Sequence, residues 1–452
     1  MTVTPFDSAI FGDLYGDSEI REVFSDTAHI RAMLEVEAAL ARAEAGLGIV
    51  PEEAAAAIGR ASEDLDVDWA AVGAGTEAAG VPVAALVSQL RAKLKPESRE
   101  FVHWGATSQD IVDTALVLRL RVVLDVLADR LDRLIDGLRH LAARHRNTLM
   151  VGRTRGQQAT PITFGLKVVG WLAPLVRHRT RLGEIWPRLL CVQLGGAAGT
   201  LAAFGGKGLD VTTALAKELD LGVPSLPWHT QRDSIAEFGS WLCLVTASLS
   251  KTGRDVLLLA QSEIDELREG GDAHGASSTM PQKSNPVTAE TLVALGRVNA
   301  GLLGNLHHAS TPEHERGGSE WMMEWVTLPQ MVSCAAAALR HGERLVSSLK
   351  VREDRMRHNL DAARGLPLAE AAVFQLAQHM SRSQALELVT EACKRVQSSR
   401  QDLVMALREA TSAPIDWDRL ADPGAAIGLA GELVDRFLRE SDASAENHSG
   451  GE

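Results

Sequence analysis

The sequence predicts an all-α protein built round a bundle of long helices, on two observations. Alanine, leucine, glutamate and arginine dominate the 452 residues, while the chain holds a single tyrosine and few β-branched runs. Apolar residues also recur at intervals of three and four over many turns, the period of a helix that buries one stripe.

The elements follow in chain order. Residues 1–106 read as shorter helices, one over 25–47 and the next begun by Pro51, because proline is tolerated in a first helical turn. From 107 to 144, Leu116, Leu120, Val123, Leu127, Leu131, Leu134, Leu138 and Leu141 form one stripe. Aspartate and arginine fill the other faces at spacings that allow local ion pairs. Thr107 or Ser108 can cap its start. Similar patterns over 162–188, 232–268, 286–308 and 321–348 are each bounded by Gly or Pro. Long stripes joined by short connections predict antiparallel packing, and a second buried face on some of them predicts association with other copies. GGAAGTLAAFGGKG (195–208) is too rich in glycine for a stable helix and reads as a loop. After Val351 shorter helices form a further unit, and the tail ESDASAENHSGGE has almost nothing to bury. The expected division is 1–106, 107–350, 351–440 and a disordered 441–452.

Composition narrows the partners. The net charge of −13, with no basic stripe interleaved with aromatics, argues against nucleic acid. An acidic protein that binds an anion must gather its few cations into one pocket. No apolar run spans a bilayer, and the N-terminus lacks a basic segment followed by an apolar one, so the expectation is a cytoplasmic protein without a membrane partner. Cys191, Cys243, Cys334 and Cys393 have no metal-ligand spacing and read as reduced thiols. No motif calls for a metal or another cofactor.

Three clusters can carry chemistry. HWGATSQD (His103–Asp110) places Thr107 and Ser108 at a helix N-terminus, where free amides and the dipole suit a carboxylate. An ordinary capped helix start has the same sequence. GRTRGQQATP (152–161) gathers Arg153, Arg155, Gln157 and Gln158, as a solvated turn before a helix also would. HGASSTMPQKSNPVTAE (274–290) holds Lys283 and Asn285 two apart, an apolar anchor at Met280-Pro281 and a helix entered through Pro286. A Ser-rich linker seldom needs such an anchor.

SSTMPQKSNP resembles the signature loop SSxMPxKxNP of the fumarase/aspartase superfamily, which includes argininosuccinate lyase, adenylosuccinate lyase and 3-carboxy-cis,cis-muconate cycloisomerase. HWGATSQDIVDT and GRTRGQQATPITFG resemble that superfamily's first and second regions. QLGGAAGTLAAFGGKG, LPWHTQRDSIAEF and EHERGGSEW look most like the cycloisomerase branch. The resemblance implies a three-domain helical subunit whose long helices, with the signature loop at 270–286, join those of three other copies in a twenty-helix core. It implies active sites shared between chains of a homotetramer.

The implied chemistry is anti elimination from a small dicarboxylate or tricarboxylate. A base removes the proton beside a carboxylate, and preorganised donors hold the resulting dianion. By resemblance Ser278 is the base, Ser277 supports it, and Lys283 and Asn285 are the donors. Thr107, Ser108, Thr154 and Gln157 match residues that hold substrate carboxylates. Arg153, Arg155, Gln158, Met280 and Gln282 complete the expected contacts. Arg316, in EHERGG, resembles an arginine near the substrate, though a surface ion pair with Glu315 or Glu320 accounts for it equally.

Departures from the branch bear on the substrate. Histidine, suited to protonating a leaving group, stands at neither Arg155 nor Gln158, and the MPHKRNP of the branch is MPQKSNP here. His103 or His229 can substitute, each with a structural reading as a helix-end or core residue. These departures favour a substituted succinate that releases fumarate and a small anionic or weakly basic group. Nitrosuccinate, losing nitrite by carbon–nitrogen cleavage, is the candidate. The alternatives are cycloisomerisation and a catalytically silent relative.

Overall fold

The hydrophobic stripe beginning at Leu116 lies on the longest helix, α1 (Ser108–Arg144), in a computed structural model that describes residues 4–270, 275, 279–280 and 283–449, without the side chains of 442–449. Seven of the eight stripe residues are buried and Leu141 is half-buried. Val112, Ala115, Leu118, Leu124 and Ile135 are buried as well, so α1 is covered on more than one face. The chain is all-α. The other long helices are α2 (Phe164–Leu189), α3 (Asp233–Leu259), α4 (Val287–Ala309) and α5 (Gly318–Ser348), all close to their expected spans except α3.

The chain divides into two compact units. Residues 1–130, 178–247 and 294–339 form unit 1, and residues 131–177, 248–293 and 340–452 form unit 2. Each long helix contributes one segment to each.

In unit 1 the helix Asp26–Gly46 starts at a Ser25 cap whose hydroxyl accepts from the Ala28 amide. Its Met33, Leu34 and Leu40 pack with Ile58, Leu86, Leu90, Val211 and Leu215 in one core. Glu52–Glu63 follows Pro51, as expected. The helix segments of this unit are tied by polar contacts across their faces. Trp241 Nε1 donates to the His178 carbonyl, and Asn299 Nδ2 to Thr246 Oγ1 and the Leu242 carbonyl. Arg130 binds Asp17, Glu19 and the Ala336 carbonyl. The glycine-rich 195–208 is a loop that ends in a 3-10 turn, Ala202–Lys207.

In unit 2, Gly342 lets α5 approach closely: a Cβ there would stand 3.1 Å from Leu134 and 3.3 Å from Leu249. A second small core gathers Leu368, Leu376, Val389, Val396, Leu403 and Leu407. The strands β1 (Leu149–Thr154) and β2 (Gln157–Thr163) pair antiparallel, where the sequence suggested only a turn. A further departure is the end of α3, expected to run to 268. It stops at Leu259, and Leu267–Arg268 pairs instead with Lys350–Val351. Tertiary ion pairs override the helical pattern here. Asp265 binds Arg268 and Arg352, and buried Glu266 binds Arg153 and Asn359. At the other end of the chain, the helix Ala430–Ser449 extends through residues expected to be disordered. Extending a formed helix needs only one more residue per hydrogen bond, so a little apolar anchoring upstream carries it on.

Among the described residues no helix is long and apolar enough to cross a membrane. All four cysteines are free thiols, and burial pushes Cys334 up to about 12.

Candidate active site

Asp110 organises the start of α1. Its Oδ1 accepts from His229 Nε2 at 2.7 Å, from the Gly195 amide at 2.9 Å and from Gln193 Nε2 at 3.2 Å. Oδ2 accepts from the Gly196 and Thr107 amides, both at 2.9 Å. Only glycine fits at 195, because a Cβ would stand 2.8 Å from His229 Cε1. Gly196 takes a φ of +68°, a conformation open to glycine at little cost. The carboxylate that reaches back to the Thr107 amide does the capping. The Thr107 hydroxyl is therefore spared for another role.

That hydroxyl accepts from Arg316 Nη1 at 3.1 Å. Arg316 Nη2 donates to the Ala197 and Gly196 carbonyls at 3.0 and 3.2 Å, and among the described residues Arg316 forms no ion pair with Glu315 or Glu320. Glu320 instead accepts from Ser319. Ser108, the first residue of α1, is half-buried beside this guanidinium's partner. Amides of a first helical turn have no intrahelical acceptor. A cation, two hydroxyls and a positive helix end thus converge on one corner, a setting for a carboxylate.

The two histidines held in reserve are each bound to a carboxylate. His229 is buried and bound through Nε2 to Asp110. His103 has a φ of +61° and binds Glu37 through Nδ1 at 2.6 Å. Burial works against its charged form, but the Glu37 and Asp110 carboxylates together outweigh this and raise its pKa.

The second region is the tip of the β1–β2 hairpin. Arg155 and Gly156 both have positive φ, +52° and +80°, as a two-residue primed turn requires. Thr154, Arg155, Gln157 and Gln158 are all exposed there. Arg153 differs: its guanidinium grips the fully buried Glu266 carboxylate at 2.7 and 2.9 Å. In this chain it is a strut of the hairpin, and the tip's uncommitted cation is Arg155. Sequence reasoning had no signal for Glu266, which looked like one more polar helix residue.

In the third region Ser277, Ser278 and Gln282 lie outside the described residues. Lys283 is exposed and Met280 is 42% exposed. Gly275, at a φ of +70°, accepts through its carbonyl from the Asn285 amide at 2.8 Å. The Lys283 amide donates to the Met280 carbonyl. The start of α4 is not a free anion site, because Glu269 accepts from the Thr288 and Ala289 amides at 3.0 and 2.7 Å. Asn285 and Lys283 are therefore presented by a segment pinned at Gly275 and at a filled helix end.

Comparison with known proteins places this geometry. A family model described as Lyase matches residues 16–299. The 3-carboxy-cis,cis-muconate cycloisomerase of Pseudomonas aeruginosa is 44% identical over 96% of each chain. The N-acetyl-S-(2-succino)cysteine lyase of Enterococcus italicus is 35% identical over 94% of each. The crystal structure of 3-carboxy-cis,cis-muconate lactonizing enzyme from Pseudomonas putida matches with a TM-score of 0.90 and 41% identity, over 96% of this chain and 99% of that one. The protein is an enzyme of the fumarase/aspartase superfamily class. Within it, the chain belongs to the lyase family that the model describes. The expectation of a nitrosuccinate substrate, and with it the preference for carbon–nitrogen cleavage, gains no support from these relatives.

Proposed function

We propose that the protein interconverts a carboxylated cis,cis-muconate and its lactone. The likeness to the cycloisomerase of P. aeruginosa over 96% of both chains carries this reading and reverses the order in which the sequence ranked it. The Thr107–Arg316 corner supports it, since such a substrate presents several carboxylates.

In lactone opening, Ser278 removes the proton beside a carboxylate and the electron pair passes into that carboxylate as an enediolate. Lys283 and Asn285 donate to it. The enediolate collapses to a carbon–carbon double bond as the ring C–O bond breaks, and the ring oxygen leaves as a carboxylate. Lactone formation is the reverse, with Ser278 returning the proton. A departing carboxylate is a stable anion and needs little protonation, which agrees with the absence of histidine at Arg155 and Gln158. Gln282 and Ser284 bring no charge, but Arg155 offers a guanidinium at the hairpin tip. Exposure of Thr154, Arg155, Gln157, Gln158 and Lys283 on the single chain supports completion of each site by other copies in a homotetramer.

A second reading, β-elimination from a substituted succinate to fumarate, is favoured by the 35% identity to the E. italicus lyase. It uses the same base and the same enediolate.

The test is incubation with the carboxymuconate, its lactone and a panel of substituted succinates, following double-bond absorbance. Lactone interconversion is the expected result. Fumarate release from a succinate without turnover of either muconate or lactone would transfer the assignment to the second reading. Ser278→Ala is expected to abolish turnover while the oligomer, measured by light scattering, stays intact. Full activity in that variant would remove serine from its role.

A further inference from the structure

Unit 1 holds a partly open cavity of about 290 Å³ between Phe24, the helix Asp26–Gly46, α1 and α5. Val112, Leu116, Leu328 and Pro329 make most of its wall apolar. Three polar lining side chains have hydrogen-bonding capacity left over. Arg119 has only a 3.4 Å bond from Nε to the Ala115 carbonyl and a position 5.4 Å from the Phe24 ring centroid, with no carboxylate bound to it among the described residues. His29 Nε2 and Trp325 Nε1 are buried without a hydrogen-bond partner.

The one acidic group in the wall does not answer them. Both oxygens of Glu324 are taken by Arg232, which also binds Asp113. Burial pulls Arg119 down to about 10, and burial together with Arg119 lowers His29 to about 3, so His29 is neutral. A half-buried cation without a carboxylate partner and two buried nitrogens without a hydrogen-bond partner are each costly. Water can bridge the nitrogens, but only an anion gives Arg119 a charge-assisted partner of its own.

We propose that this cavity binds a small organic monocarboxylate, its oxygens accepting from Arg119, Trp325 Nε1 and the Nε2–H tautomer of His29, its apolar tail against Leu116 and Leu328. The site is distinct from the Thr107 corner. Arg119 lies twelve positions further along α1, about 18 Å at the helical rise. It is also independent of which substrate the enzyme turns over.

Calorimetric titration of the full-length protein with butyrate tests this. Saturable binding is expected, with none for butylamine or butanol. Arg119→Met should weaken butyrate binding about ten-fold or more, as loss of a charge-assisted bond does. Trp325→Phe, which keeps the ring and removes the donor, should weaken it less, and Arg316→Met should leave it intact. If Arg119→Met does not fold by circular dichroism, the Trp325→Phe comparison decides. No saturable binding of butyrate, or binding unchanged in the decisive variant, overturns the proposal. So does loss of binding in Arg316→Met alone, which would locate the ligand at the Thr107 corner. Absence of butyrate binding together with a change of oligomer in Arg119→Met would also overturn it, by showing that a carboxylate of a second copy fills the cavity.

Discussion

Arg316 and Thr107, 209 residues apart in sequence, meet through a 3.1 Å bond from guanidinium to hydroxyl at the start of the longest helix. The hydroxyl is free for this bond because Asp110 does the capping. Arg316 is exposed, so its loss should leave the fold unchanged and act on the substrate. Arg316→Met is expected to lower kcat/KM by about ten- to hundred-fold, the range for one charge-assisted hydrogen bond, mostly through KM. Steady-state kinetics on whichever substrate the panel above identifies, with a thermal melt as control, checks it.

Gly275 tethers the segment that carries Asn285. A Cβ at 275 would stand 1.9 Å from the Asn285 carbonyl oxygen, and the φ of +70° disfavours any side chain. Gly275→Ala should therefore displace Asn285 and reduce kcat by about ten-fold or more while the melting temperature changes little. Wild-type kcat in this variant would show that the tether does not position the donor.

Arg153 and Glu266 make a different kind of pair. Glu266 is fully buried, and its remaining side-chain donor is Asn359 Nδ2 at 2.9 Å. Arg153→Met leaves a buried carboxylate without its cation, a change of about 3–5 kcal/mol in comparable cases. Denaturant titration should show that loss. Arg153→Met combined with Glu266→Gln should recover much of it, whereas a residue that served only the substrate would show no such recovery.

Glu44 gives the protein a pH dependence. It is fully buried with both carboxylate oxygens unpartnered, and burial first, then the charge of Glu37, raises its pKa from 4.5 to about 9. The folded form keeps a proton that the unfolded chain releases above pH 4.5. This group's contribution is therefore most favourable below that pH and declines as pH rises toward about 9, by about 1.4 kcal/mol per pH unit. Glu44→Gln cannot release a proton, so the fall in stability between about pH 6 and about pH 8 should flatten in denaturant titrations. An unchanged slope would assign the dependence to other groups.

The sequence by itself determined the helices and the class. The stripe from Leu116 to Leu138 fixes α1 because burying one face every 3.6 residues is a local property of the chain. The motif SSTMPQKSNP identified the superfamily because so many residue types at fixed spacing rarely coincide. Pairing across long separations was not legible. Nothing in ELREGG marks Glu266 as the partner of Arg153, and the strand that replaces the end of α3 stands where Asp265 and Glu266 pair with arginines far along the chain. The same holds for His229 beneath Asp110, and for Arg119, whose lack of a counter-charge appears only once its neighbours are in place. Periodicity encodes what a residue does relative to its own helix. Which charge meets which is decided by the tertiary fold, because a Coulomb partner is set by distance in space, and spacing along the chain carries no record of it.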